Sequence, residues 1–291
     1  MLLPNFTYLR PNSLAEAVEM LNSFGDTAKL LAGGTDLLVN MKHGKQSPAQ
    51  LIDLDGLGEL KASQTKGEVM ELGAGLKAAQ LAGGLGGALP QTLALGAGAL
   101  GSPQVRNRAS LGGNLATARP AADMCVPLLA LGARVALLGP AGERQVELPE
   151  FFLGPGLTSL AASEVLTKAL VAKPQLGSGS GYCKLGLRKA LEISLANVAS
   201  WLLLEDDGKT IKEGRVSLGA VAPTPILSLG AAKVLAGAAA DEKTFAAAGA
   251  AAAADARPID DHRGSAEYRR DMVAVLTKRC LSQALADARR N

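Results

Sequence analysis

The chain has 291 residues, of which 48% are hydrophobic but only 3% aromatic, and a formal net charge of +3. That length carries two domains or one large one. A near-neutral charge without a long Lys/Arg run leaves no footprint for nucleic acid, and no uninterrupted apolar run is long enough to span a bilayer.

The first residues, Met1 to Tyr8, lack a basic region ahead of an apolar stretch and do not read as a signal peptide, so the chain is expected to be cytoplasmic. Asn12 and Ser13 precede Leu14, Ala17, Val18 and Leu21. Spacings of three and four predict an amphipathic helix over 12–24, capped by Asn12 or Ser13 and ended by Gly25. Residues 29–32 read as a short apolar strand. Gly33, Gly34 and Thr35 follow directly, and 36–42 reads as a helix with Thr35 as its cap and Asp36 in its first turn. Strand, double-glycine turn and helix start are the context in which backbone N–H groups gather around an anion. An ordinary strand-to-helix turn has the same outline, and at this point both readings stand.

Residues 50–54 and 68–72 are further strands. The latter runs into Gly73-Ala-Gly75-Leu-Lys-Ala78, which matches the glycine fingerprint of nicotinamide dinucleotide folds. That fingerprint also needs an acidic residue about 20 positions on. No Asp or Glu occurs between Leu72 and Ala122, so the match is rejected. The same acid-free stretch holds Lys77, Arg106, Arg108 and Arg119 and ends at Asp123. It reads as a positive surface suited to an anionic ligand or an acidic partner, or as small-residue packing.

Within it lies a second double glycine, in Ser110-Leu-Gly112-Gly113-Asn114. Paired glycines let a backbone approach a ligand closely. Two such stretches suggest one long anionic ligand, a dinucleotide held from two sides. Downstream, 174–181 reads as a flexible linker by its Gly/Ser content, and the alanine-rich 231–256 as helix. Cys125, Cys183 and Cys280 lie far apart, with no Cys-x-x-Cys pair. They cannot build a Cys-ligated cluster alone and read as reduced, mostly buried thiols. With two histidines in the chain, no Ser/His/Asp constellation stands out, and neither catalytic residues nor a metal site are expected.

The stretch from Gly101 through Arg106-Asn-Arg-Ala-Ser110-Leu-Gly-Gly-Asn114, followed by Ala118-Arg-Pro-Ala-Ala-Asp123, resembles a motif of the flavin-binding medium subunit of the molybdenum hydroxylases. This is the xanthine dehydrogenase and carbon monoxide dehydrogenase family. Residues 32–36 resemble the family's other FAD loop. Segments beginning at Tyr182, Val216 and His262 resemble its later signatures, so the resemblance covers nearly the whole chain.

The resemblance implies an α+β fold. A two-subdomain FAD-binding domain of the PCMH/vanillyl-alcohol-oxidase-like type would occupy 1–58 and 59–175, followed by a C-terminal α+β domain over 176–291. FAD would bind non-covalently between the subdomains, and His43, past the first loop, is not read as a flavin link. Leu30, Leu31, Ala32, Gly33, Gly34, Thr35 and Asp36 would wrap its diphosphate, and Gly112 and Gly113 would bring up a second backbone segment. Leu100, Ser110, Asn114, Thr117 and Asp123 would also contact it, Asp123 through ribose or adenine rather than phosphate. Leu166 and Lys184 would meet the adenine and flavin ends, and Ile193 would cover one face of the ring.

The family's [2Fe-2S] clusters and molybdopterin sit on partner chains. This chain would then be the FAD-binding electron-transfer subunit of a heterotrimer, itself able to dimerise, with an iron–sulfur small subunit and a molybdopterin large subunit. Its electrons would pass to an acceptor such as NAD or a quinone. Two alternatives stand beside this: a cofactor-free scaffold subunit of the same complex, and a stand-alone flavin oxidoreductase.

Overall fold

A computed structural model describes residues 2–188 and 190–291. The first unit is parallel α/β. β1 (Thr7–Leu9), α1 (Leu14–Phe24), β2 (Ala28–Leu31), α2 (Leu37–Lys42) and β3 (Gln50–Asp53) follow in turn, and the sheet order is β1-β3-β2. Ser13 caps α1 by accepting the Glu16 amide, and Ala17, Val18 and Leu21 are its buried face. Helix α2 starts one residue later than the sequence predicts. Asp36, not Thr35, holds the cap position, and its side chain makes no capping bond.

The second unit opens with β4 (Ser63–Lys66) and β5 (Val69–Gly73). A helical stretch follows: α3 (Ala78–Ala82), α4 (Gln91–Ala99), α5 (Pro103–Arg106), α6 (Leu111–Ala116) and α7 (Cys125–Ala130). The chain then forms β6 (Arg134–Gly139), β7 (Gly142–Glu147), the short α8 (Leu148–Phe151), the β8 (Phe152–Gly154) and β9 (Leu157–Thr158) hairpin, and β10 (Val165–Ala172). Its five-stranded sheet is antiparallel in the order β4-β5-β10-β6-β7. One continuous core runs from Ala17 and Ile52 of the first unit to Leu72, Leu128 and Val171 of the second. Leucine and alanine fill most of that core, as the low aromatic content requires.

A second core belongs to the C-terminal domain. β11 (Ser178–Leu185), β12 (Ala196–Leu204), β13 (Ile211–Gly219) and β14 (Ile226–Leu227) form an antiparallel sheet in sequence order. Helices α9 (Leu229–Leu235), α10 (Glu242–Asp255) and α11 (Ala266–Ala288) follow. Helix α11 packs on β11 and β12, while α4 and α7 of the second unit pack on the same strands.

Two expectations change here. The stretch 174–181 is not a free linker, because β11 begins at Ser178 and Gly179 and Gly181 are buried in it. A Cβ on Gly179 would lie 2.1 Å from the Ala284 carbonyl oxygen, and one on Gly181 would lie 2.5 Å from that of Cys280. Glycine is there so that the helix backbone can lie on the strand. The alanine-rich stretch is two helices rather than one. Gly237 turns the chain at φ +72°, and the segment after it bonds to the start of β13, with the Ile211 amide donating to the Ala238 oxygen at 2.9 Å.

Arg269 of α11 is buried and holds this domain's turns together. It donates to the carbonyls of Leu195 (2.8 Å) and Ala220 (3.1 Å) and to the Asp261 carboxylate (2.7 Å). Burial alone would raise the Asp261 pKa, but the Arg263 amide and the Arg269 guanidinium outweigh it and hold the carboxyl at about 2. A depressed carboxylate contributes stability above its unfolded value of about 3.9 and loses it as pH falls toward its folded value. D261N is therefore expected to cost about 2 kcal/mol near pH 7, as for a hydrogen bond between charged groups. It should also flatten the fall of melting temperature between about pH 4 and pH 2. A pH series of thermal melts on both proteins checks this.

No helix among the described residues is long and apolar enough to cross a membrane.

Candidate functional site

The site is built where β2 ends and the chain must turn before α2. Gly34 makes the turn at φ +72°. Gly33 serves packing: a Cβ there would sit 2.1 Å from the Arg108 carbonyl oxygen, so the loop lies directly against the Arg108–Ala109 backbone. The consequence is electrostatic. The backbone N–H groups of Gly33, Gly34, Thr35 and Asp36 find no acceptor among the described residues. Four consecutive free donors in a concave loop form a nest for an anion.

The second double glycine is different. Ser110 caps α6 by accepting the Gly113 amide at 3.2 Å. The Leu111 and Gly112 amides donate to the carbonyls of Leu76 (2.9 Å) and Ala74 (2.8 Å). A Cβ on Gly112 would lie 2.6 Å from the Cβ of Ala74. These glycines let α6 lie against the end of β5, and their N–H groups are spent within the protein. The two glycine pairs therefore differ: the donors of the first loop are free, and the second loop is a closely packed wall. It is also not flanked by a strand, since α5 precedes it and α6 contains it.

The two loops face each other across a cleft of about 570 Å³, within the usual range of ligand pockets, roughly 300–1,000 Å³. Leu30, Ala32, Gly33, Gly34, Thr35, Asp36, Leu100, Ser110, Gly112, Gly113, Asn114, Thr117 and Leu166 line it. Asn114 accepts the Met124 amide through Oδ1 at 3.2 Å, which fixes the carboxamide and leaves its NH2 group for the cleft. Thr117 donates to the Gly113 carbonyl at 2.6 Å, so its oxygen remains an acceptor. Leu31 lies on the strand side instead, with its Cδ1 against Gly34.

The cations of the acid-free stretch do not form one positive surface. Asp55, at the end of the first unit, takes Lys77 at 2.6 Å and Arg108 at 3.7 Å. The Lys77 ammonium foremost holds the Asp55 carboxyl below its ordinary pKa. Arg106 donates to the Leu100 carbonyl. Arg119 remains exposed in the cleft wall, and Lys29 joins it from β2. Sequence reasoning missed Lys29. Its only signal is an alternating position on the strand that leads into the glycine loop.

Asp123, Lys184 and Ile193 lie off this cleft. Asp123 is buried, and both its carboxylate oxygens are engaged: Tyr182 Oη donates to Oδ1 at 2.7 Å and Lys184 Nζ to Oδ2 at 2.9 Å. In this structure its side-chain partners are Tyr182 and Lys184. Burial foremost raises the Asp123 carboxyl, and Lys184 partly offsets it. Lys184 lines a second depression with Ala99, Leu185, Arg188, Leu191 and Glu192, and Ile193, next to Glu192, is 54% exposed. Ala99 faces the depression and Leu100 the cleft, so the two adjoin across one peptide.

All three cysteines are free, Cys125 and Cys280 being buried and Cys183 half-buried. Among the described residues no group of His, Cys, Asp or Glu is placed to hold a metal ion.

Residues 4–173 match the family model described as "FAD binding domain in molybdopterin dehydrogenase", and 182–284 match "CO dehydrogenase flavoprotein C-terminal domain". The carbon monoxide dehydrogenase medium chain of Hydrogenophaga pseudoflava is 36% identical over 288 residues, covering 98% of this chain and 99% of its own. The putative xanthine dehydrogenase FAD-binding subunit of Escherichia coli K12 is 31% identical, covering 97% of each. Among solved structures, a chain of the Hydrogenophaga pseudoflava carbon monoxide dehydrogenase superposes with a TM-score of 0.93 at 35% identity, over 98% of this chain and 99% of that one. A chain of quinoline 2-oxidoreductase from Pseudomonas putida 86 gives 0.90 at 28% identity, over 98% and 99%. A cleft between two packed loops, a C-terminal domain behind it and matches along nearly the whole chain converge: this protein belongs to the family of FAD-binding medium subunits of the molybdenum hydroxylases, the oxidoreductases that include carbon monoxide and xanthine dehydrogenases.

Proposed function

We propose that this chain holds one non-covalent FAD in the cleft and relays electrons within a molybdenum- and iron–sulfur-containing hydroxylase. They would arrive from a [2Fe-2S] cluster on a small partner subunit and leave to an external acceptor such as NAD or a quinone. Substrate oxidation would take place at molybdopterin on a large subunit, and the working enzyme would be a heterotrimer in the cytoplasm.

The observation that carries this reading is the row of free amides at Gly33, Gly34, Thr35 and Asp36. They match the oxygens of a diphosphate, and Lys29 and Arg119 supply positive charge in the same cleft. The NH2 group of Asn114 and the hydroxyl of Thr117 offer directional bonds to a sugar or ring. Leu100 and Leu166 supply apolar wall. Bound flavin supplies the redox chemistry, accepting electrons one at a time and passing them on as a pair. The chain's part is to bind the cofactor, orient it and set its surroundings.

The test is an absorption spectrum of the purified chain, followed by denaturation and identification of what is released. Flavin bands with about one FAD released per chain are expected, with none left on the polypeptide. A colourless chain that takes up no FAD, alone or in its native complex, would favour the scaffold alternative and end this reading.

A further inference from the structure

Lys184, Arg188 and Glu192 line the second depression; Arg188 and Glu192 pair with each other at 2.9 Å, whereas the Lys184 charge is held by buried structure. On β11 the even-numbered residues Tyr182 and Lys184 face the FAD-binding unit, while Gly179 and Gly181 face α11. Lys184 Nζ donates to Asp123 Oδ2 at 2.9 Å and to the Ala99 carbonyl at 3.1 Å. An ammonium has three N–H donors, so one remains for the depression that Lys184 lines.

Asp123 is fixed in turn. Tyr182 Oη donates to its other oxygen, and Asn197 Nδ2 donates to Tyr182 Oη at 3.0 Å. Asn197 stands opposite Lys184 in the β11–β12 register and is fully buried. Its placement leaves no room for a side chain at Gly219, where a Cβ would lie 2.2 Å from Asn197 Oδ1. Every member except Lys184 is closed off, and the hydrogen-bond chain ends on the one group that reaches the surface.

We propose that Tyr182 and Asn197 are positioning residues, which lock Asp123 so that Lys184 presents a fixed positive charge to the ring end of the bound cofactor. The proposal rests on the FAD reading above and goes beyond it by naming what sets the flavin's surroundings. A fixed cation beside a flavin favours the electron-richer reduced form, and protein charges near the ring are a principal means of tuning it. The Tyr182 hydroxyl matters because it draws off part of the Asp123 charge. Without that donor, Asp123 would hold its full charge against Lys184 and cancel more of the ammonium's field.

The experiment is the flavin midpoint potential of the full chain loaded with FAD, measured by dye equilibration, with FAD affinity and thermal melts alongside. Y182F should still bind FAD at one per chain. Its preference for reduced over oxidised FAD should fall about tenfold, a shift of about 30 mV to lower potential for a two-electron couple. N197A should shift the same way by less, and K184M by more. Loaded Y182F and N197A whose potentials match wild type while their melting temperatures drop would show that the network is only structural, and the proposal would be wrong. An unshifted K184M would place the ammonium away from the ring and also overturn it. Wild type that takes up no FAD would bring down the FAD reading itself, which distinguishes the two failures.

Discussion

Gly33→Ala is expected to abolish tight FAD binding while leaving the C-terminal domain folded. The methyl would arrive 2.1 Å from the Arg108 oxygen and 2.7 Å from the Arg108 carbonyl carbon. Both are backbone atoms of the facing loop, and that loop is tied in place by the Arg108 and Ala109 amides, which donate to the Val105 carbonyl. No side chain can rotate away, so the glycine loop must move. Overpacking of this kind costs about 1–3 kcal/mol in stability. The larger loss is in binding, since the four free amides shift together. Losing two charge-assisted hydrogen bonds at about 1.5 kcal/mol each weakens binding by about 100-fold. Titration of the apo chain with FAD, read by quenching of flavin fluorescence, measures this. Gly44→Ala is the control: Gly44 is a positive-φ glycine with open space around it, so it should lose some stability and keep its affinity. Equal affinities for wild type and G33A would mean that the first loop does not hold the cofactor.

Much of this site was legible because its signals are local. The spacing of Leu14, Ala17, Val18 and Leu21 specified α1 and its buried face. The strand–glycine–glycine–helix order around Gly33 marked a loop with unpaired donors, and the Ser110 motif marked the wall across from it. Less legible was the purpose of each glycine. Gly33 and Gly112 look alike in sequence to Gly34 and Gly113, yet the first is required by the Arg108 backbone and the second by the Ala74 Cβ, tens of residues away. The same holds for charge. Lys77 and Arg108 stand in a stretch without acids, and their partner Asp55 comes from the preceding unit. Asp123 follows the cofactor motif, but its donors Tyr182 and Lys184 lie about sixty residues further on, in another domain. Pairings of that range are set by which domain packs on which, and a linear pattern does not carry them.

Composition misled most at residues 178–181, and the second large prediction lies there. Ser-Gly-Ser-Gly has the make-up of a flexible linker, so a valine at Gly179 would be expected to do little. The structure predicts the opposite. A Cβ at Gly179 would lie 2.1 Å from the Ala284 oxygen, 2.2 Å from the Ala288 nitrogen and 2.8 Å from its Cα. All three atoms belong to the backbone of α11, and Ala284 and Ala288 are buried on the same contact. The last turn of the helix would have to lift from β11. That would strip the Ser180 amide of its bond to the Asp287 carboxylate (2.9 Å) and strain the Tyr182 amide's bond to Gln283 (3.2 Å). Gly179→Val is therefore expected to destabilise the C-terminal domain by at least about 3 kcal/mol, the upper end for overpacking a close-packed interior. Limited proteolysis should then release the end of α11, while Leu176→Ala, at an 86% exposed position two residues before β11, should behave as wild type. The glycine loop belongs to the other core, so G179V should still bind FAD at temperatures where its C-terminal domain is folded. A melting temperature unchanged from wild type would mean that α11 does not lie on β11 as described, and that the segment is the linker its composition suggests.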